Sequence, residues 1–128
     1  MAMTRRISAI ALAALVATPA MAQSRWLELG VRDLDDRSER AAFAVRVGDY
    51  YRRIRLCVDR AQVDFSGVTV RFRSGGTRTL DLRSLVERGD CTAPIDLNGE
   101  RRELETVVVH YLPRSLGGSR ARVRLLAG

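Results

Sequence analysis

The sequence predicts an all-β fold, an antiparallel β-sandwich of about seven to eight strands in one domain. Three observations predict it. Apolar and polar residues alternate with period two through most of the chain beyond residue 23. Turn signals built from Gly and Asn fall between the alternating runs. Helix-period patterning is nearly absent. A small barrel is the alternative arrangement for strands of this spacing.

The first element stands outside that fold. Arg5 and Arg6 precede an apolar run over 7–17, Pro19 breaks it, and Ala20-Met21-Ala22 offers the small-x-small site that a signal peptidase cuts. The run is too short to span a bilayer. Residues 1–22 read as a secretory signal peptide cleaved after Ala22, and residues 23–128 as the β-sandwich domain. Ser8 stands where a twin-arginine signal prefers a bulky apolar residue, so the signal reads as Sec-type. No later segment approaches the roughly 18 apolar residues of a membrane helix. The expected location is periplasmic or secreted, with no membrane span after cleavage.

The strands follow in order. Residues 25–29 open a first strand around Trp26, Leu27 and Leu29. Phe43, Val45 and Val47 mark the second, and Ile54, Leu56 and Val58 the third. Val68, Val70 and Phe72 alternate with Thr69, Arg71 and Arg73. Leu80 with Leu82, then Ile95 with Leu97, give two shorter runs. Val107, Val109 and Tyr111 precede Pro113, which can end their strand; Val123 and Leu125 form the last run. Ser74-Gly75-Gly76, Asn98-Gly99 and Gly117-Gly118 are hairpin turn signals, because Gly and Asn tolerate positive φ. Gly48-Asp49 and Ser66-Gly67 mark further bends. Helical signal is confined to 35–42 and 84–88, each long enough for a single turn and neither with an apolar face.

Cleavage would leave about 106 residues, 46% of the whole chain being hydrophobic, which suits one globular domain with its own core. The formal charge is +7, and +5 once the two signal arginines are gone. All 22 basic residues are Arg, whose planar fork suits carboxylate and phosphate. Cys57 and Cys91 are the only cysteines, and they form no C-x-x-C. In an oxidising compartment two such thiols are expected to form one structural disulfide. That expectation rests on compartment and count.

Two blocks carry a resemblance. Residues 52–72 (RRIRLCVDRAQVDFSGVTVRF) and 79–98 (TLDLRSLVERGDCTAPIDLN), with 26–30 opening and 121–126 closing, resemble the YaaI-like family of small periplasmic proteins, a domain of unknown function. The resemblance implies export and an all-β domain. It brings no activity.

Catalytic signatures are missing from the sequence. His110 is the only histidine; alternation points it opposite to Val109 and Tyr111, toward solvent. No G-x-S-x-G occurs, and S-x-x-K needs a lysine the chain lacks. Two thiols and one imidazole, widely spread, do not make a zinc site. Asp33, Asp35, Asp36 and Glu39 cluster, but Arg32, Arg37 and Arg40 interleave with them, and a solvated loop is the better reading than a calcium site. No phosphate-binding glycine loop precedes a helix. No metal, cofactor or enzymatic activity is therefore expected. A site built on an Asp/Glu pair ranks lowest.

The arginines are the functional hint. Arg53 and Arg55, Arg71 and Arg73, and Arg120, Arg122 and Arg124 each project from one face of an expected strand. On a shared sheet they would form ladders attractive to an anionic envelope polymer. The plainer reading is that outward positions must be polar and that edge charge discourages aggregation. Nucleic acid is disfavoured, because aromatics are only 5% and Phe43, Phe72 and Tyr111 belong to the expected core. Trp26 reads as a core plug, and one of Tyr50 and Tyr51 must face outward. The expected function is a non-catalytic binding module using an Arg-rich sheet face. The alternative is a structural or protein-interaction subunit pairing with another envelope protein through an edge strand.

Overall fold

The computed structural model describes residues 26–46, 48, 50–97 and 101–128. The expected signal segment 1–22 and the expected turn at Asn98-Gly99 lie outside them, as do Val47 and Asp49. Nine strands are described: β1 (Leu27–Leu34), β2 (Arg40–Ala44), β3 (Arg53–Asp59), β4 (Val63–Phe72), β5 (Thr77–Leu80), β6 (Ser84–Val86), β7 (Ile95–Asp96), β8 (Leu104–Leu112) and β9 (Ala121–Ala127). They form two antiparallel sheets, as expected for a sandwich. The four-stranded sheet has the order β1-β9-β3-β7; the five-stranded sheet has the order β2-β8-β4-β5, with β6 also on β4.

The core lies between the sheets. Ile54, Leu56, Val58, Val123 and Leu125 face it from one side; Phe43, Val68, Val70, Val107, Val109 and Tyr111 face it from the other. All are at most 3% exposed. The alternation changes phase once inside β4. Val63 and Phe65 point inward, then Val68, Val70 and Phe72 do, because the register slips by one between Phe65 and Gly67. The Ser66-Gly67 bend signal is this β-bulge, and the strand continues through it. A second slip lies in β1 between Glu28 and Gly30. A Cβ on Gly30 would stand 3.1 Å from the Phe43 ring, so the glycine lets β2 pack closely against β1.

Two local expectations are corrected. Residues 84–88 do not form a helical turn; Ser84–Val86 is β6. The cause is non-local. β4 has ten residues and β5 only four, so β5 covers Val68–Arg71 and leaves Val63–Phe65 open on that edge. β6 fills the gap, pairing Val86 with Val63. Residues 35–42 are likewise not helical. Asp35 Oδ1 accepts a bond from Arg37 N (3.0 Å), closing a turn from which β2 starts at Arg40. β1 also runs five residues beyond the expected end at Leu29.

The hairpin between β4 and β5 turns through Gly75 (φ 98°) and Gly76 (φ 90°), a conformation that L side chains rarely adopt. β8 ends before Pro113, which opens a 3-10 turn over Pro113–Leu116. Cys57 and Cys91 form a disulfide. It sits within an irregular strip along the free edge of β3. Gly89 N donates to Val58 O, Val58 N to Asp90 O, and Thr92 N to Leu56 O, at 2.8–2.9 Å. Thr92 is buried, and its hydroxyl accepts a bond from Leu56 N (3.1 Å).

Tyr111 ends the core with its hydroxyl donating to Asp35 O at 2.9 Å. Burial, and then the negative charge of Asp35, raise its phenol above the ordinary value of 10.0. A raised folded value means that this stability is fully present below the unfolded value. It is lost as pH rises through the folded one. The chain has no lysine to confuse that window. Thermal denaturation from about pH 8 to about 11 should show an alkaline loss of stability. Tyr111→Phe should lower the plateau by about 1 kcal/mol and flatten that alkaline limb. An unchanged alkaline limb in the variant would refute the assignment.

Candidate anion-binding site

One end of the sandwich gathers the start of β1, the segment between β2 and β3, the β4–β5 hairpin, and the described residues just before β8. By sequence, segments 45–53, 71–78 and 96–105 carry eight arginines and five carboxylates. At the opposite end, segments 32–40, 59–64, 87–90 and 113–122 carry eight of each. The positive excess of the domain is therefore polarised toward the first end.

Backbone pairing builds this end. Tyr51 and Arg102 exchange two bonds, Tyr51 N to Arg102 O (2.9 Å) and Arg102 N to Tyr51 O (2.8 Å). Val45 N donates to Glu105 O and Arg73 N to Glu103 O, each at 3.0 Å. Segment 102–105 thus extends the five-stranded sheet with a neighbour on each side. Across the sandwich, Arg52 N and Arg53 N both donate to Gly128 O (2.8 and 3.0 Å). Gly128 N returns a bond to Arg53 O (2.9 Å).

The side chains divide into fasteners and free charges. Arg73 is a fastener: Nη2 donates to Val45 O at 2.8 Å, and Nε lies 3.2 Å from Glu103 Oε2. Arg102 lays its guanidinium 3.8 Å from the Phe72 ring centroid. Arg101 donates Nη2 to Tyr50 O at 2.9 Å. Among the described residues, Arg52 and Arg78 have no carboxylate partner within ion-pair distance. Tyr50 is 54% exposed, whereas Tyr51 is half-buried. A pocket of about 540 Å³ lies between Tyr50, Arg73, Ser74, Arg101, Arg102 and Glu103.

The seven arginines expected to form a sheet face are not one face. Arg53 and Arg55 on β3, with Arg122 and Arg124 on β9, belong to the four-stranded sheet. Arg71 and Arg73 lie on and just after β4 in the other sheet, and Arg120 precedes β9 at the opposite end. Carboxylates interleave with them. Arg122 meets Asp33 (3.3 Å), Arg124 meets Glu28 (3.7 Å) and Asp59 (3.6 Å), and Arg71 meets Glu105 (3.4 Å). Asp96 stands opposite Arg53 in the β3–β7 register.

Trp26 corrects a further expectation. It is not a core plug: it is half-buried, with the Arg53 and Arg55 guanidinium carbons each 5.0 Å from its ring centroid. His110 points away from the core, opposite to Val109 and Tyr111 as alternation required, and is half-buried on the outer face with Nε2 3.2 Å from Thr69 Oγ1. At the opposite end, a pocket of about 510 Å³ mixes Arg60 and Arg88 with Glu87. β1 is an edge strand with Leu27 and Val31 exposed; Arg32 Nη1 donates to Ala42 O at 2.8 Å.

Arg52, Arg78, Arg101, Arg102 and Tyr50 were not among the residues that the sequence singled out as a site. Tyr50, Arg52, Arg101 and Arg102 lie in connections, where alternation says nothing; Arg78 lies within β5, half-buried and paired with Val70. The Arg-Arg doublets at 52–53 and 101–102, each close to a turn signal, were the available clue.

The sequence matches the family described as Domain of unknown function (DUF2541) over residues 8–127. No curated protein matches the chain. Among solved structures, one of Pseudomonas aeruginosa AlgX is similar, with a TM-score of 0.50 and 14% identity. The match covers 95% of this chain and 35% of that one, so this chain spans about a third of that protein's length. The likeness is one of fold.

The division into fasteners and free charges has a measurable consequence. Arg73→Ala should cost about 1–3 kcal/mol in denaturant unfolding, because it strands the Val45 carbonyl and Glu103. Arg52→Ala should stay within about 0.5 kcal/mol. Equal effects would show that Arg73 is no fastener.

Proposed function

The chain belongs to the family of domains of unknown function described as DUF2541, and from its polarised end we propose that it is a non-catalytic module binding an anionic envelope polymer. The observation that carries this reading is the concentration of arginine at one end of the sandwich, where Arg52 and Arg78 have no carboxylate within ion-pair distance among the described residues. Arginine forks bind carboxylate and phosphate oxygens in pairs, and a local excess of positive charge draws polyanions from solution. The sheet-face arginines contribute less to this reading, since acids sit among them. The narrower YaaI-like likeness fits the same picture of a small exported protein.

Export is part of the proposal. The Arg5-Arg6 start, the apolar run and Ala20-Met21-Ala22 support it, and the Cys57–Cys91 disulfide suits an oxidising compartment. Intact mass of protein recovered from the periplasm or medium should match a chain beginning at Gln23. Recovery of the uncut chain from the cytosol alone would contradict export.

Binding is tested by retention of the purified protein on phosphocellulose along a salt gradient. Arg52→Ser with Arg101→Ser should elute at clearly lower salt than the parent. Arg114→Ser with Arg120→Ser, at the opposite end, removes the same charge and should elute less early. Equal shifts for the two pairs would reduce the effect to net charge and sink the site. A salt-insensitive dimer that dissociates on changing Val31 to Lys would favour edge pairing through β1 instead.

A further inference from the structure

We infer that the ligand of the arginine-rich end is an acidic polysaccharide, laid as an extended chain across the end of the sandwich; this rests on the anion-binding reading above. Four depressions adjoin there, and each shares lining residues with the next. The first, beside Arg78 on β5, shares Arg102 with the second. The second shares Tyr50 and Arg101 with the third. The third shares Arg52 and Gly128 with the fourth, which ends at Arg53 and Asp96. Taken in order, the shared residues lead from β5, at the edge of the five-stranded sheet, to β7, at the edge of the four-stranded one. This track crosses the roughly 10 Å between sheets as well as neighbouring strands about 4.8 Å apart. A single anion occupies one depression; a chain occupies them all.

The chemistry along the track distinguishes among chains. Arginine recurs from one end to the other, with Arg78, Arg102, Arg101, Arg52 and Arg53 in order. Such spacing suits a polymer whose charge repeats with each unit. Ser74 and Thr77 stand exposed beside the first two depressions and supply hydroxyls for neutral hydrogen bonds. Tyr50 is the one exposed aromatic on the track, placed where the second and third depressions meet. One aromatic face suits one sugar ring. A single-stranded nucleic acid needs successive platforms on which neighbouring bases stack. The two acids on the track have partners at hand: Glu103 lies against Arg73, and Asp96 opposes Arg53 in register.

Calorimetric titration of the purified protein tests this. The probes are a single galacturonate, oligogalacturonates of increasing length, inorganic polyphosphate and a single-stranded oligonucleotide of matched charge. The expected result is affinity rising about tenfold or more with oligogalacturonate length and then levelling once the track is filled. Oligogalacturonate should bind more tightly than the other polyanions at equal charge. Tyr50→Ala should weaken oligogalacturonate several-fold while leaving polyphosphate unchanged; Tyr50→Phe should restore it. Equal binding of all polyanions, or indifference to Tyr50→Ala, overturns the polysaccharide assignment and leaves the anion site standing. Preference for the oligonucleotide overturns it in favour of nucleic acid. Binding of a single galacturonate as tightly as its oligomers overturns the track. No binding of any polyanion removes both this inference and the site.

Discussion

The position of β9 is the constraint on which the rest of the structure depends. It lies between β1 and β3, and without it the four-stranded sheet has no centre. Its inward residues Ala121, Val123, Leu125 and Ala127 are fully buried, so both neighbours pack against a strand that is the last to arrive in sequence. Leu27 pairs with Ala127, and Ile54 pairs with Ala127 from the other side. Such pairing closes very long loops, whose entropy the buried surface must offset. The same strand sets the floor of the candidate site. Gly128 exchanges backbone bonds with Arg52 and Arg53, which fixes where β3 begins and which way its first arginines leave the sheet.

Sheet geometry also explains why the arginines of the faces and those of the end differ. On a pleated surface each outward residue has a neighbour across the ladder at about 5 Å. Register therefore decides its partner. Asp33 and Asp59 both stand across from Arg122, one on each flanking strand. Arg122 is balanced by construction. No ladder runs past the strand ends, and backbone connections occupy the positions where partners would be. Arg52 sits at that boundary, whereas Arg78 lies within β5 with Val70 as its ladder partner; among the described residues neither has a carboxylate within ion-pair distance.

The period-two alternation made most of the fold legible. Ile54, Leu56 and Val58 point inward as their spacing required, and so do Val107, Val109 and Tyr111. The turn at Gly75-Gly76 falls where its residues demanded positive φ. Legibility ended where tertiary pairing overrode local pattern. β6 exists because the long β4 had an uncovered edge, which no window around Ser84 could reveal. Alternation tells which face a residue takes within its own strand, but not which sheet the strand joins. Arg55 and Arg71 thus looked like rungs of one ladder, yet belong to different sheets. Trp26 departs from its expected place for a related reason: just before β1, its ring lies against two arginines of β3 and not in the core. The arginines of the end were visible as residues, but not as a group, because connections carry no period.

The disulfide steadies one side of the candidate site. β7 has only two paired residues, too few to hold a strand at a sheet edge unaided. With Pro94 just before it, β7 forms one wall of the fourth depression through Asp96. What holds it is the strip before it, where Thr92 is bonded to both backbone groups of Leu56 and Cys91 is bonded covalently to Cys57. The bond joins residues 34 apart in sequence and encloses β4, β5 and β6, so it restrains the unfolded chain as well as the strip. In a reducing environment the strip would keep only its few backbone bonds, at the margin where local opening is least costly. The wall formed by Asp96 is therefore most secure where thiols are oxidised, outside the cytosol.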